Sequence, residues 1–188
     1  RQRLSVLREL EKNMDGYQNS VRAVMRAAGA RRLRGVLGPV STILKVEPGC
    51  EVAIETALGG ALQNIVVENE AAAKAAIALL RNDHAGRATF LPLDTVQPGA
   101  FRGRLSGTAR LASALVQADP RYENIVSNLL GRIIVVEDIN EASRVARDNG
   151  YHNKVVTMDG QVINAGGSFT GGSVQRSAGL FTRKQEME

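Results

Sequence analysis

The chain contains an internal repeat of about 70 residues, and this repeat limits the fold to a duplicated architecture. Residues 47–59 match residues 119–131 at a shift of 72 positions, including an acidic residue, a proline and a closing glycine. Three positions are then lost, and residues 65–68 match residues 134–137 at a shift of 69. Matches in this order along 188 residues indicate two copies of one structural unit.

Each copy has the same order of predicted elements. An acidic residue and a proline open an amphipathic helix, which ends at Gly59 in the first copy and at Gly131 in the second. A β-branched run then predicts a buried strand, and a further helix and strand follow. We therefore predict an α/β (α+β) fold with two pseudo-repeated subdomains. The further helices and strands are predicted at 69–81, 138–148, 88–93 and 154–158.

Glycine and proline cluster near residues 96–107 and predict the connection between the subdomains. At the two ends of the chain, Leu7 with Met14 and Leu180 with Met187 are each seven residues apart. Such short stripes fit antiparallel coiled-coil segments as well as plain surface helices. The predicted boundaries are 1–32 for an N-terminal coiled-coil stub and entry helix, 33–98 for subdomain I, 99–174 for subdomain II and 175–188 for a C-terminal coiled-coil stub.

Composition excludes several classes of protein. A single cysteine, Cys50, rules out an internal disulfide framework and fits a reducing compartment. No run of about 18 apolar residues and no signal-peptide pattern occur, so we expect a cytoplasmic protein with no membrane partner. Aromatic residues make up only 4%, which predicts an aliphatic core. Since the sequence begins at Arg1 rather than Met, we expect it to be a piece of a longer chain.

The formal net charge of +5 is unevenly distributed. Residues 1–34 carry nine basic and three acidic side chains, a net charge of +6, and residues 175–188 carry +1. The intervening body, residues 35–174, is therefore at −2. This distribution fits either a solubilising helix surface or a patch that binds a polyanion at the ends of the body.

Four glycines in two pairs form the densest motif, which follows a short predicted strand at 161–165 and an Asp-Gly hairpin turn. A phosphate-binding loop would need a lysine where Ser173 stands. A flexible loop is the simplest alternative. Close approach to a second chain is favoured, because glycine has no Cβ to clash and Phe169 between the pairs can act as an anchor. The motif is Gly166-Gly167-Ser168-Phe169-Thr170-Gly171-Gly172-Ser173.

Catalytic constellations are scarce in this sequence. His84 and His152 lie in polar turns and lack a second ligand at metal-binding spacing. Cys50 is in the first turn of a predicted helix, but its repeat counterpart is Tyr122, which favours a packing position over a nucleophile. No nucleophile elbow or zinc motif occurs. We therefore predict no catalytic residues, no metal site and no enzymatic activity.

The chain resembles the hinge domain of SMC (structural maintenance of chromosomes) proteins, most closely the bacterial ones. The resemblance covers about residues 33–174 and rests on a series of motifs in a fixed order. These motifs are Gly35-Val36-Leu37-Gly38, the run 53–59, Gly86-Arg87-Ala88-Thr89-Phe90-Leu91-Pro92-Leu93, Leu129-Leu130-Gly131, Val156-Thr157-Met158-Asp159-Gly160 and the glycine motif at 166–173.

The resemblance implies a two-subdomain hinge that homodimerises and joins two coiled-coil arms of a chromosome-organising ATPase. ATP and Mg²⁺ would bind to head domains outside this segment, which itself would need no cofactor, and kleisin-type subunits would also bind the heads. Localisation would be cytoplasmic and nucleoid-associated. In the family the glycine-rich segment supplies dimer contacts, and with Phe169 as anchor the interface residues expected here are Gly166, Gly167, Phe169, Gly171 and Gly172.

Hinges of this family also bind DNA through basic residues near the coiled coil. Many bacterial relatives have a lysine run after the last glycines, whereas this chain has Val174-Gln175-Arg176-Ser177. With few aromatic residues available for base stacking, we expect weak, sequence-independent and salt-sensitive binding. The candidate DNA-binding residues are Arg31, Arg32, Arg34, Arg176, Arg183 and Lys184.

Two hypotheses from other classes remain open at this point. The first is a nucleotide-binding α/β enzyme domain that uses the glycine-rich loop, and the missing lysine argues against it. The second is a standalone nucleic-acid-binding domain, which would be monomeric and would carry a more basic surface on the body itself.

Overall fold

The computed structural model describes residues 16–173, which fold into two compact units. Unit 1 contains residues 16–43 and 60–96, and unit 2 contains residues 44–59 and 97–173. Both contain helices and strands and neither forms a barrel, which confirms the predicted mixed α+β class. The predicted C-terminal stub and residues 1–15 of the N-terminal stub lie outside the described residues.

The helices and strands follow in the order below, with three short 3₁₀ helices between them. They are α1 (Asn19–Gly29), β1 (Val36–Pro39), α2 (Val40–Ile43), β2 (Lys45–Val46), α3 (Glu51–Leu58), a 3₁₀ helix (Gly59–Gln63), β3 (Ile65–Val67), α4 (Glu70–Asn82), β4 (Phe90–Pro92), β5 (Arg110–Leu111), a 3₁₀ helix (Ala112–Leu115), β6 (Val116–Gln117), a 3₁₀ helix (Pro120–Tyr122), α5 (Glu123–Leu130), β7 (Ile134–Val136), α6 (Ile139–Asp148), β8 (Val155–Thr157), β9 (Val162–Ile163) and β10 (Phe169–Thr170).

Two of the predicted helices, α4 and α6, form where an amide or carboxylate cap precedes a stripe of small apolar residues. Asn69 accepts a hydrogen bond from the Ala72 amide at 2.9 Å and starts α4. Asp138 does the same for the Glu141 amide at 2.9 Å and starts α6. A side-chain cap of this kind contributes about 1 kcal/mol. Both helices bury small apolar residues at helical spacing, as the sequence predicts.

The strand registers confirm the internal repeat. Unit 1 has the strand order β1-β3-β4, and β5-β7-β8 have the same order and directions in unit 2. Gly38 lies opposite Val66 in β1–β3, and their repeat counterparts Arg110 and Val135 lie opposite each other in β5–β7. Unit 2 then adds β9 and β10 beyond β8, so its sheet has five strands against three in unit 1.

Residues 44–59 group with unit 2, whereas the predicted boundary at residue 98 assigns them to the first subdomain. The physical reason is that corresponding elements of the two copies pair with each other. Lys45 of β2 lies opposite its own repeat counterpart, Gln117 of β6, and α3 contacts α5. Self-pairing of equivalent elements creates a local two-fold relationship within unit 2.

The cores of both units are aliphatic, in agreement with the low aromatic content. In each unit the central strand and the flanking helices supply side chains that are almost fully buried. The core of unit 1 includes Val21, Val24, Ile65, Val67, Ala76 and Leu80, and that of unit 2 includes Ile134, Val136, Val145, Val155 and Ile163.

Candidate functional site

The glycine-rich segment forms the edge of the sheet in unit 2. A hairpin connects β8 to β9, with Gly160 at φ +90° and its amide bonded to the Thr157 carbonyl at 3.0 Å. After β9 the chain turns back, and β10 pairs antiparallel with β9, with Phe169 opposite Ile163. β10 is the last strand of this sheet, so within residues 16–173 its outer side has no neighbouring strand.

The first glycine pair makes the turn between β9 and β10. Gly166 and Gly167 have φ values of +95° and +101°, which residues with a Cβ rarely adopt. The Gly167 amide donates to the Asn164 carbonyl at 2.9 Å, and the Gly166 amide donates to the Tyr151 carbonyl at 2.8 Å. These glycines are therefore required by the conformation of the chain itself, independently of any partner.

The second glycine pair is held by a glutamine side chain. The Gly172 amide donates to Gln161 Oε1 at 2.8 Å, and Gln161 Nε2 donates to the Gly172 carbonyl at 3.0 Å. A Cβ on Gly171 would overlap Gln161 Oε1. No pattern in the sequence marks Gln161 as part of this site, since it is an isolated glutamine before a strand.

Two aromatic side chains are exposed beside this segment. Phe169 is 60% exposed, the largest exposure among the big apolar residues of the described chain. Tyr151 is 37% exposed, and its ring lies 3.6 Å from the position that a Cβ of Gly167 would occupy. Tyr151 has φ +58°, a left-handed conformation that is costly for a bulky residue. Tyr151 was not among the site residues predicted from the sequence.

Unit 1 has an open sheet edge at β4. This strand corresponds to β8 in the repeat, but β8 is covered by β9, whereas β4 is the last strand of its sheet among residues 16–173. The Ile65 amide donates to Thr89 O at 2.9 Å, and the Leu93 amide donates to Val67 O at 3.0 Å. The main-chain groups of Thr89 and Leu93 therefore face β3. Because the main-chain groups of successive strand residues point in opposite directions, those of Phe90, the residue after Thr89, point to the open side.

The geometry differs from that of a phosphate-binding loop. Such a loop runs from a strand through glycines into a helix whose first turn carries lysine. Here a strand, β10, lies between the two glycine pairs, and no helix follows it up to Ser173, where the described residues end. The segment builds a sheet edge.

The candidate DNA-binding residues Arg31, Arg32 and Arg34 lie just after α1 and are exposed. The Arg32 amide donates to Ala27 O at 2.8 Å and the Arg31 amide donates to Ala28 O at 3.1 Å, which is a Schellman helix end. Arg31 has φ +63° where glycine is usual. The three arginines line a cleft of about 390 Å³ in unit 1.

The charges around this arginine group are mostly unpaired. Arg32 Nη2 lies 3.6 Å from Asp83 Oδ2, and both side chains are exposed, so the pair contributes little. Glu68 also lines the cleft. The other three candidate DNA-binding residues, Arg176, Arg183 and Lys184, lie outside the described residues.

The described chain contains few groups suited to catalysis. Across residues 16–173 no three His, Cys, Asp or Glu side chains cluster as a metal site would require. Cys50 is 2% exposed, and burial together with a hydrogen bond to Glu47 raises the pKa of its thiol, which agrees with a packing position. His84 and His152 are exposed. Over the same residues no helix is long and apolar enough to cross a bilayer.

Two related α+β units, each with a strand edge that has no neighbour within residues 16–173, form a domain suited to strand pairing. The chain belongs to the SMC hinge family: residues 33–146 match the family described as "SMC proteins Flexible Hinge Domain". The chromosome partition protein Smc of Desulfitobacterium hafniense (strain Y51) is 38% identical over 194 residues, covering 99% of this chain and 16% of the relative. The chromosome partition protein Smc of Bacillus subtilis (strain 168) is 35% identical over 196 residues, covering 100% of this chain and 16% of the relative.

Solved hinge domains have the same fold. The asymmetric dimer of the Geobacillus stearothermophilus SMC hinge domain superposes with a TM-score of 0.88 at 36% identity, covering 98% of this chain and 76% of that chain. The Pyrococcus furiosus SMC hinge domain superposes with a TM-score of 0.71 at 28% identity, covering 92% of this chain and 88% of that chain. The chain spans about 16% of the length of the curated relatives it matches.

Proposed function

We propose that this chain is a homodimerisation hinge of a chromosome-partition SMC protein, and that two copies join by strand addition. The observation that carries the proposal is the mismatch between the two sheets. Unit 2 has an added strand, β10, with an open side, and unit 1 has an open side at β4, where the repeat counterpart β8 is covered. In two identical copies, β10 of each can pair with β4 of the other, so the contact is made twice.

The main-chain groups at the two edges support this pairing. Phe90 of β4 presents its N–H and C=O to the open side. Pro92 has no amide hydrogen, and its carbonyl already accepts from the Thr95 amide at 3.2 Å and the Val96 amide at 3.1 Å. On β10, the Asn164 amide bonds to Ser168 O at 2.7 Å, so the next residue, Phe169, directs its main-chain groups outward. Each edge therefore offers donors and acceptors that are satisfied when a strand is added.

Side chains at the edge add apolar area to this contact. The ring of Phe169 is the most exposed large apolar group described, and Tyr151 lies beside the turn of the first glycine pair. Burying one such ring contributes about 1.5–3 kcal/mol. Because a symmetric dimer buries it twice, we expect loss of Phe169 to weaken the dimer by about 100-fold or more.

The test is the solution mass of the wild type, Phe169→Asp and the control Ile77→Asp at micromolar concentration. Ile77 is 47% exposed on α4 and belongs to no proposed contact. We expect a wild-type dimer, a Phe169→Asp monomer and a control dimer. A monomeric wild type would overturn dimerisation, and a Phe169→Asp protein that remains dimeric would overturn the assignment of β10.

The pairing of β10 with β4 has a direct test of its own. In a Cys50→Ser background, Phe169→Cys protein is mixed with Thr89→Cys protein and treated with a short bis-maleimide. Thr89 is exposed and precedes β4. We expect a covalent dimer that contains one copy of each variant, and far less product from Ile77→Cys mixed with Thr89→Cys. Equal yields in the two mixtures would contradict the pairing.

The glycines Gly166, Gly167, Gly171 and Gly172 remain part of the proposed interface, but alanine scanning of them is a poor test. Three of them have positive φ values and the fourth faces Gln161 Oε1, so any Cβ disturbs the chain before it meets a partner. Substituting Phe169 leaves this backbone unchanged. For that reason it is the better test of the interface.

We further propose that Arg31, Arg32 and Arg34 contact the DNA backbone. Their exposure and their weak pairing support this role, and the lack of an aromatic lining in their cleft favours phosphate contacts over base stacking. Arg176, Arg183 and Lys184 are expected to extend the patch. Three phosphate contacts predict a slope of about −3 in log K against log salt for double-stranded DNA.

The DNA proposal is tested by fluorescence anisotropy with a labelled oligonucleotide over a salt series. Changing the three arginines to glutamine should lower the affinity at low salt and flatten the slope. The charge-matched control changes Arg87, Arg121 and Arg144 to glutamine and should bind like the wild type. If both triple variants lost DNA affinity equally, a specific contact between DNA and Arg31, Arg32 and Arg34 would be contradicted.

In the longer protein, we propose that this module joins two coiled-coil arms and has no enzymatic activity of its own. ATP and Mg²⁺ would bind to head domains, where kleisin-type subunits would also attach, and the protein would work on chromosomal DNA in the cytoplasm. The names of the relatives, chromosome partition protein Smc, support this context.

A further inference from the structure

A cleft of about 710 Å³ in unit 2 is lined by three arginines that the proposed function does not use. Arg102 and Arg104 belong to the segment before β5, and Arg132 follows α5. The end of α6 and the turn after it form the other wall, with Asp148 and His152 as the remaining titratable groups. The cleft lies entirely within unit 2.

Two asparagine side chains hold the main chain of this cleft in place. Asn149 is only 8% exposed; its Oδ1 accepts from the Arg104 amide at 2.7 Å and its Nδ2 donates to Arg104 O at 3.0 Å. Asn153 Nδ2 donates to Arg132 O at 2.8 Å. Amide side chains thus fix the backbone from which two of the three arginines project.

The arginine side chains themselves have no acidic partner. Within residues 16–173, none of the three guanidinium groups forms an ion pair, and Asp148 is the sole carboxylate that lines the cleft. The lining therefore has a formal charge of +2 with His152 neutral. Clustered like charges repel one another, and an anion with several negative charges relieves that repulsion.

The chemistry of the cleft matches phosphoryl groups. Guanidinium groups bind phosphate oxygens through two parallel hydrogen bonds. A triphosphate concentrates its charge on contiguous phosphorus atoms, whereas a nucleic-acid backbone spreads single charges along the strand. The volume falls within the range of small-molecule sites, and no Phe, Tyr or Trp side chain lines the cleft to stack on a base.

We propose that this cleft binds the polyphosphate group of a small molecule, such as a nucleoside triphosphate, through Arg102, Arg104 and Arg132. The nucleobase is not selected. The site differs from the glycine-rich segment, and it depends neither on dimerisation nor on DNA contact.

Calorimetry on the full 188-residue chain tests the proposal with sodium tripolyphosphate, ATP and GTP as separate ligands. We expect all three to bind with similar affinity. Changing Arg102 and Arg132 together to glutamine should weaken binding at least tenfold. The control pair, Arg87→Gln with Arg121→Gln, removes the same charge elsewhere and should bind like the wild type. Unchanged thermal midpoints establish that the variants fold.

A further variant separates the built site from net charge. Asn153→Ala releases the main chain of Arg132 without altering any charge, and it should weaken tripolyphosphate binding several-fold. In an independent experiment without variants, tripolyphosphate should protect Arg102 and Arg132 from phenylglyoxal, detected by mass spectrometry, while Arg121 continues to react.

Several results would overturn the proposal. The first is no binding of tripolyphosphate to the wild type at millimolar concentration, and the second is an equal loss in the control pair. If ATP bound but tripolyphosphate did not, the cleft would recognise a base or ribose instead of the polyphosphate group. The cleft would be assigned to nucleic acid if the wild type did not bind tripolyphosphate and the Arg102/Arg132 variant lost oligonucleotide binding.

Discussion

The side-chain amide of Gln161 pairs with the main chain of Gly172 as a neighbouring strand would. The Gly172 amide donates to Oε1 at 2.8 Å and Nε2 donates to the Gly172 carbonyl at 3.0 Å. One side chain thus extends the pairing of β9 with the glycine-rich segment past the end of β10. The proposed interface is ordered from within the chain, so its entropy cost on dimerisation is reduced.

Gln161→Ala should weaken the dimer while leaving the fold intact. The two neutral hydrogen bonds to Gly172 are lost, each with a net contribution of about 0.5–1.5 kcal/mol, together with the bond from Nε2 to Asp159 Oδ2 at 3.4 Å. We expect a several-fold or larger increase in the dimer dissociation constant in analytical ultracentrifugation, with faster exchange of the Gly172 amide. Gln117→Ala, at an exposed position on β6, is the control and should match the wild type.

Gly171→Ala should act through Gln161. An added Cβ at this position overlaps Gln161 Oε1, so the glutamine side chain must move and its bonds to Gly172 are broken. In a double-mutant cycle on dimer affinity, the effects of Gly171→Ala and Gln161→Ala should therefore be strongly non-additive. Additive effects would indicate that Gly171 is needed for contact with the partner instead.

Arg31→Gly should raise stability and lower DNA affinity together. The left-handed conformation costs a residue with a Cβ about 1–2 kcal/mol, partly offset by the greater chain entropy of unfolded glycine. We expect a gain of about 0.5 kcal/mol in chemical denaturation and weaker DNA binding in anisotropy. Arg31→Lys keeps both the charge and the conformation, and a loss of DNA binding in this control would mean that charge alone is insufficient.

Acid should weaken the hairpin that supports the glycine-rich segment. A hydrogen bond from Thr157 and a further bond from Gln161 lower the pKa of Asp159 in the folded protein. A carboxyl with a lowered folded pKa stabilises the fold fully above its unfolded pKa of about 4, and this contribution is lost as the pH falls from there through the lower folded pKa. Thermal midpoints between pH 6 and 3 should therefore fall less in Asp159→Asn than in the wild type.

Asp94→Asn, an exposed carboxylate in unit 1, is the control for this experiment. Its acid profile should follow the wild type. If the thermal midpoints of Asp159→Asn also fell with pH as those of the wild type do, the proposed contribution of Asp159 to stability would be contradicted.

Local sequence was sufficient to predict α4, α6 and the repeat, but not the starts of α3 and α5, which begin at Glu51 and Glu123 rather than at the preceding prolines, Pro48 and Pro120. Asn69 and Asp138 mark helix starts because a cap interacts only with the first turn of its own helix. The strand runs 65–67 and 134–136 are evident because each buries three consecutive β-branched residues. The glycine-rich motif was interpreted as a site of close approach to a second chain, whereas the positive φ values of Gly166 and Gly167 give a reason for these glycines within the chain itself.

Only the tertiary structure decided which elements meet. Lys45 pairs with Gln117, Asn149 holds Arg104, and Gln161 holds Gly172, and these partners are 72, 45 and 11 residues apart. The first of these is a main-chain strand pairing and the other two are side-chain contacts, and a single contact of either kind leaves no periodic pattern in the sequence. The sequence by itself determined a duplicated α+β hinge with basic ends. The open edges of β4 and β10 and the arginine cleft depend on long-range packing, which brings distant residues together without requiring a local motif.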